Sequence, residues 1–258
     1  MRIGTYNIWV SSINFEERLQ LLCKIIKKSN ADIIGLQEVK DENVVKYIQD
    51  YCDFSYSLWE RYYDWDEGLA LLSNYPILYD ITNWKMKKDV HNSFVLRTVI
   101  EYNNIKIGVT NLHFDHKSAL NREVEIADTI KLIEKYDESE YEILLGDFND
   151  SPDSSIYRYL TGQQSLYNHA TKWIDLAKSY AVSKQTNPNI TLDFLNNPRW
   201  DNENVLEIPE RFDWVMLKYP YPKKNPKLNN VKILGNERVE NITPSDHYGV
   251  ICDIDFNN

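Results

Sequence analysis

At least six apolar segments, spread from one end of this chain to the other, each carry a polar residue at one tip: Asn7, Glu38, His113, Asp147 with Asn149, Asp213, and Asp246 with His247. The clearest is Tyr141–Pro152, YEILLGDFNDSP, where Ile143, Leu144 and Leu145 run into Gly146 and then Asp147 and Asn149 stand two residues apart around Phe148. Alternation along an extended chain sends Asp147 and Asn149 to one side and Phe148 into the core. The same residues also read as the start of a turn, because Asp150, Ser151 and Pro152 are turn formers. One polar tip is a turn. Six at corresponding positions predict a shared mouth between sheets, which is how layered folds build sites.

Taken in order, Arg2–Val10 reads as a first strand with Asn7 near its end, a residue that a satisfied strand-end amide would also explain. Phe15–Lys28 carries the helical period, with Phe15, Leu19, Leu22, Ile25 and Ile26 on one face, Asn14 as N-cap and Glu17 three residues on. Ala31–Val39 is a second strand. Its Glu38, at the end of a buried apolar strand, needs a cation or donor to offset desolvation and is a candidate metal ligand. From that segment alone, the simpler reading is a rim glutamate paired with Lys40. A helix follows over Glu42–Tyr51, then an aromatic stretch, then a strand over Leu69–Leu72 preceded by Asp66, Glu67 and Gly68.

The strand Ser93–Tyr102 holds Arg97 inside an apolar run, and a buried arginine demands an anionic partner or ligand. Ile105–Phe114 ends in His113, which a structural hydrogen-bonding role would also explain. His91, His116 and His169 have no supporting neighbours. Helices are predicted over Ala119–Tyr136 and around Ser154–Leu160, with an amphipathic stretch at Trp173–Ala181. The irregular region Ser183–Pro209 is where a substrate loop would lie. Arg211–Leu217 is a strand bearing Asp213, and TPSDHYGV places Asp246 and His247 just before the last strand.

Hydrophobic residues make up 43% and aromatics 13% of the 258 residues, enough for one layered domain over 1–258 that folds without metal or disulfide. Lys and Arg number 29 against 39 Asp and Glu, a net charge of −10 that argues against a broad grip on duplex DNA. The Lys85–Lys88 run reads as a solvated face. The segment KYPYPKKNPK, with Lys218, Lys223, Lys224 and Lys227, is the best local basic patch. Cys23, Cys52 and Cys252 have no paired spacing and read as reduced core thiols. With no leader-like start and no long apolar run, the expectation is a cytoplasmic protein without stable membrane insertion and with no protein partner implied.

The pieces TYNIW, GLQEV, EGLALLS, TNLHF, LLGDFND, RFDWV and PSDHYGV, in this order and covering the whole chain, resemble the endonuclease/exonuclease/phosphatase superfamily, the group of deoxyribonuclease I, exonuclease III, neutral sphingomyelinases and inositol-polyphosphate 5-phosphatases. The resemblance implies a four-layer α/β sandwich of two mostly antiparallel sheets packed face to face and flanked by helices. It also implies hydrolysis of a phosphate ester with Mg²⁺ or Mn²⁺. By position, Glu38 looks like the metal-ligating glutamate, Asn7 a contact to phosphate or metal water, and Asp246 a completion of the metal shell. Asp147 looks like the carboxylate that orients or deprotonates the attacking water. Asn149 would stabilise the pentavalent phosphorus, and His247, held by Asp213, would contact phosphate or move a proton. Glu67 and His113 look like a second carboxylate–histidine pair, with His113 protonating the leaving oxygen, and Arg97 looks like the phosphate-binding arginine.

Trp9 stands where exonuclease III-like enzymes carry Asp or Asn, and His113 where they carry Tyr, so the pattern sits closer to deoxyribonuclease I and the sphingomyelinases. The secretion signal and disulfides of secreted deoxyribonucleases are missing. The first expectation, favoured by the acidic balance, is a divalent-metal-dependent phosphodiesterase or phosphatase on a small or lipid-like phosphate ester. The second is a nuclease on DNA or RNA, gripping its strand with the KYPYPKKNPK loop and the aromatics from Trp59 to Trp65. The third is a catalytically silent binding module.

Overall fold

The computed structural model describes residues 1–63, 65–82, 94–188, 190–200, 206–237 and 242–256. The Lys85–Lys88 run, His91 and Ser93 lie outside them. The elements in chain order are β1 (Arg2–Asn7), α1 (Phe15–Ser29), β2 (Ile33–Val39), α2 (Glu42–Cys52), β3 (Tyr56–Arg61), β4 (Gly68–Ser73), β5 (Ile77–Thr82), β6 (Phe94–Tyr102) and β7 (Ile105–His113). Then come α3 (Ala119–Lys135), β8 (Tyr141–Asp147), α4 (Ser155–Leu160), β9 (Trp173–Asp175), α5 (Leu176–Lys184), a single 3-10 turn (Pro198–Trp200), β10 (Asp213–Lys218), β11 (Lys227–Leu234) and β12 (Gly249–Asp255). The strands form two six-stranded sheets, one ordered β11-β12-β1-β2-β4-β3 and the other β5-β6-β7-β8-β10-β9. Each contains one parallel pair, β1 with β2 and β7 with β8, and is otherwise antiparallel.

The two-residue period of the strands decides which side chains meet. Ile3, Ile33, Val109, Ile143, Leu145, Val215, Val250 and Cys252 face inward and fill the space between the sheets. Their strand neighbours face outward: Tyr6, Ile8, Ile34 and Leu36 pack with Leu22 and Ile26 of α1 and Val45 and Ile48 of α2. On the other side Leu112, Leu144, Trp214 and Met216 pack with Ile126 and Ile130 of α3 and with α4. The result is the four-layer sandwich, helices outside and two sheets within.

The sequence-predicted helices and central strands are present, with ends shifted by a residue or two, except that β1 stops at Asn7 rather than Val10. Asn14 occupies the N-cap position of α1 as expected, though not as a side-chain cap. Asn14 is left-handed (φ 46°) and makes no side-chain cap bond. The loop before α1 is organised instead by Arg18, whose side chain collects carbonyls from Ile8, Trp9, Ser11 and Ile13. Among the described residues no helix is long and apolar enough to cross a membrane.

Candidate active site

The inward parity that buries Ile3 and Ile143 also places Thr5 and Asn7 on β1, Gln37 on β2, Asn111 and His113 on β7, Asp147 on β8 and Asp213 on β10 between the sheets. Strand pairings set these tips side by side: Asn7 opposite Gln37, and Asp147 opposite both His113 and Asp213. All of them stand at one end of the sandwich. Below them runs a buried polar seam. Asn111 Nδ2 donates to the carbonyls of Leu36 and Ala70, both at 3.0 Å, and its Oδ1 accepts from Gln37 Nε2 at 2.6 Å, so every group of this buried amide is matched.

At the mouth, Asn7 Nδ2 donates to Glu38 Oε1 at 2.9 Å and to Asp147 Oδ2 at 3.0 Å, and Val10 N donates to Glu38 Oε2 at 3.1 Å. By strict alternation from Gln37, Glu38 would point outward into the helix layer. It does not, because Glu38 is left-handed (φ 57°) where the β2–β4 register shifts, and the bulge turns its carboxylate toward the mouth. Trp9 (φ 56°) and Asn149 (φ 50°) share that backbone region, so three non-glycine residues at this rim hold a costly conformation. Asn149 therefore reaches the site through a turn, not through strand alternation: its N–H donates to Asp147 Oδ1 at 2.8 Å and its Nδ2 to Phe114 O at 2.9 Å. Phe148 lies fully buried, stacked on Trp214 at 4.3 Å between centroids.

His247 Nδ1 lies 2.9 Å from Asp213 Oδ2, and its Nε2 lies 3.8 Å from Asp147 Oδ2. Burial pulls the imidazole pKa down, but Asp213 and Asp147 outweigh it and hold the value well above the ordinary histidine range. Burial raises the Asp213 carboxyl against the pull of His247. Ser245 Oγ ties the neighbouring segment to β1 by donating to Asn7 O at 2.7 Å, and it lies 3.2 Å from Asp246 Oδ1.

On the other flank His113 Nε2 also lies 3.8 Å from Asp147 Oδ2. The expected pairing of its ring with Glu67 is corrected: Nδ1 faces the hydroxyl of Tyr62 at 3.2 Å, and Glu67 Oε2 is buried without a hydrogen-bond partner. Tyr62 is 1% exposed and stacked on Phe94 at 3.5 Å between centroids. It was invisible as a site residue in RYYDW, where nothing separates it from Tyr63. Burial, followed by the charge of Glu38, raises Glu67 to about 7. Burial also raises Asp246, opposed by His247 and reinforced by Glu38.

Arg97 is not among the convergent residues. It points from β6 to the outer face, fully buried under the end of α3, where Glu142 takes both its Nη1 and Nη2 and Tyr136 O accepts from Nη2 at 2.8 Å. The anionic partner that a buried arginine requires is internal, so the reading of Arg97 as a phosphate ligand is corrected. The basic loop is likewise remote. Lys223 Nζ donates to Glu140 O, and Lys224 O accepts from Tyr141 OH, at the opposite end of β8 from Asp147. A seven-residue strand separates the two, about 20 Å of extended chain. Tyr62 and Trp65, by contrast, follow β3 at the mouth end, where Arg61 pairs with Gly68 and Gly68 with Val39.

The donor set fits a hard divalent cation. Glu38, Glu67, Asp147, Asp213 and Asp246 crowd one mouth with no lysine or arginine paired to any of them among the described residues. The buried Oε2 of Glu67 and Oδ1 of Asp213 have no partner, and the charge of Glu38 reaches both Glu67 and Asp246. One ligand atom each from Asp147, Asp213 and His247 also fall within 4.8 Å of one another. Asp213 Oδ2 already meets His247 Nδ1, and each oxygen of Glu38 accepts one N–H, so every carboxylate here keeps lone pairs for an ion.

The family model described as the Endonuclease/Exonuclease/phosphatase family matches residues 4–247. An uncharacterized protein of Caenorhabditis elegans is 26% identical over 300 residues, covering 99% of this chain and 91% of that protein. Among solved structures, D. rerio TDP2 complexed with a single-strand DNA product superposes with a TM-score of 0.77 at 17% identity, over 98% of this chain and 97% of the other. An endonuclease/exonuclease/phosphatase from Bacteroides vulgatus superposes with a TM-score of 0.77 at 18% identity, over 98% of each chain.

Proposed function

This chain belongs to the endonuclease/exonuclease/phosphatase family, and from that premise we propose that it is a divalent-metal-dependent phosphodiesterase or phosphatase acting on a small or lipid-like phosphate ester. The observation that carries the reading is the convergence of two groups from the first sheet's side, Asn7 on β1 and His247 just before β12, on one carboxylate oxygen of the second sheet. Asp147 Oδ2 lies 3.0 Å from the Asn7 amide and 3.8 Å from His247 Nε2, whose far side is held by Asp213.

Mg²⁺ or Mn²⁺ held by Glu38 and Asp246, with Asn7 beside it, would supply positive charge to the phosphoryl oxygens. Asp147 orients or deprotonates the attacking water, and His247, fixed in ring orientation by Asp213, contacts the phosphate or carries a proton. Asn149 is an amide donor for the phosphoryl group, and Asn7, whose two Nδ2 hydrogens serve Glu38 and Asp147, sits beside it with those carboxylates held in place. The Nδ2 of Asn149 keeps one hydrogen for substrate while the other serves Phe114 O. His113 protonates the leaving oxygen and Tyr62 positions its ring, with Glu67 close by as an unspent carboxylate. The chain acts as one catalytic domain over 1–258. The three free thiols accord with a cytoplasmic setting.

A nuclease is the second reading, supported by the fold shared with D. rerio TDP2, which has been seen with a single-strand DNA product. It gains from the aromatic residues at the mouth and loses the lysine loop, which lies at the far end.

Hydrolysis of bis-p-nitrophenyl phosphate and p-nitrophenyl phosphate, with Mg²⁺ and with EDTA, tests the proposal, beside single-stranded and duplex DNA at two salt concentrations. Metal-dependent turnover confined to small esters supports it, and DNA turnover that collapses with salt moves the assignment to the nuclease. Full activity in folded Asp147→Ala and His247→Ala variants would sink the mechanism. Loss in both removes the silent-module reading.

A further inference from the structure

Two arginines flank the indole of Trp9, and they are not equivalent. Arg18 Cζ stands 4.3 Å from the ring centroid and Arg199 Cζ 4.6 Å from it. Arg18 is 3% exposed, and its five N–H groups meet five carbonyls, those of Ile8, Trp9, Ser11, Ile13 and Pro244. It has nothing left to offer a ligand. Arg199 is exposed, and its guanidinium makes no hydrogen bond or ion pair among the described residues. It rests on the ring of Trp9 and, at 5.2 Å, on that of Trp200.

Both of its supports are anchored in the mouth. Trp9 N donates to Asn7 Oδ1 at 3.0 Å. Trp200 Nε1 donates to Asp246 O at 3.3 Å, and Asn197 Nδ2 donates to Ser245 O at 2.9 Å and Asp246 O at 3.1 Å. A flexible cation in open solvent loses rotamer freedom when it binds an anion. Stacking on two indoles removes part of that cost beforehand and leaves the planar fork of donors free.

We propose that Arg199 binds a second phosphate group of the substrate, next along from the phosphate that is hydrolysed, with the Trp9 and Trp200 rings holding its guanidinium in place. Resting on the hydrolase reading above, this narrows the substrate class to esters that carry two phosphates. In a chain of net charge −10, an unpaired guanidinium beside a carboxylate-lined mouth has little role in stability and a clear one in recognising an anion.

Tryptophan fluorescence, titrated in EDTA with thymidine 3′,5′-bisphosphate and with the 3′- and 5′-monophosphates, reads the contact without turnover. The bisphosphate is expected to bind about 10- to 100-fold more tightly than either monophosphate, the range of one charge-assisted bidentate contact. Arg199→Ala is expected to erase that preference and Arg199→Lys to keep part of it. No preference in the parent protein, or the same preference in Arg199→Ala, overturns the proposal. Turnover of p-nitrophenyl esters with and without a second phosphate, on a thymidine and on a three-carbon chain, tells a nucleotide source from any bisphosphate by which pair loses its ratio in Arg199→Ala. If no ester is hydrolysed the hydrolase reading fails, and the titration still decides the role of Arg199.

Discussion

One hydrogen bond of 3.0 Å, from Asn7 Nδ2 on the first sheet to Asp147 Oδ2 on the second, closes the mouth of the sandwich. The same amide nitrogen serves Glu38 at 2.9 Å, so one neutral donor separates two carboxylates that would otherwise repel. Asn7→Ala leaves both without it. The expected loss in kcat/KM on bis-p-nitrophenyl phosphate is about 10²- to 10³-fold, the usual effect of removing one preorganised donor, with far-UV circular dichroism unchanged. A loss under about threefold would show that Asn7 is only a strand-end amide.

Asp213 holds His247 through Nδ1 and is itself fully buried. Asp213→Asn keeps the shape, removes the charge and permits the wrong tautomer. Activity is expected to fall about 10²- to 10⁴-fold, the span of general acid–base contributions. A pH–rate profile locates the cause: the limb carried by a protonated imidazole should move to lower pH in the variant, because the Asp213 charge is what raises His247.

The Arg97–Glu142 pair is 0% and 3% exposed on its two sides. Removing one partner strands the other charge in the outer core of the second sheet. Arg97→Met is expected to lower the unfolding free energy by about 3–5 kcal/mol, read from the urea midpoint. The double variant Arg97→Met/Glu142→Leu should recover most of it. A phosphate-binding role would instead show as a raised KM in a protein of unchanged stability.

Glu125 in α3 accepts from Asp115 N at 3.0 Å through one oxygen, and its other oxygen is buried and unpartnered. Burial, partly offset by the Asp115 N–H, raises its pKa from 4.5 to about 7. The folded chain thus holds a proton that the unfolded chain releases between those values. The stabilisation is complete below the lower value and lost as pH rises through the upper one, about 3 kcal/mol at most. Glu125→Gln should flatten the stability–pH curve in that window and be the more stable protein above it, as chemical denaturation at pH 4.5, 6 and 8 would show.

How far the sequence reaches can be read from particular strands. The central strands β1, β2, β4, β6, β7, β8, β10 and β12 are buried on both faces and stand out as apolar runs. The strands without a prediction of their own are β3, β5, β9 and β11, and all four lie at the edges of the sheets. An edge strand buries one face or less, so charged residues such as those of Lys227–Leu234 interrupt its pattern. The site divides the same way. Asn7, Asp147 and Asp213 follow from period-two alternation, whereas Glu38 and Asn149 depend on left-handed backbone that no periodicity encodes. Tyr62 is named only by its three-dimensional neighbour His113. Arg97 shows the converse, since a buried arginine announces a need for an anion without saying whether Glu142 or a substrate meets it.

The first strand of the chain and the last lie side by side, Arg2 opposite Asp253 and Thr5 opposite Val250. During synthesis β1 therefore gains its second neighbour only after every other strand of the two sheets has been made, and His247 emerges just ahead of that neighbour. A chain still on the ribosome can hold Asn7, Glu38 and Asp147 while Asp213 and His247 are unmade. The bond from Ser245 Oγ to Asn7 O spans 238 positions, so the two halves of the mouth are joined by a non-local pairing, slow to form beside any helix of the fold.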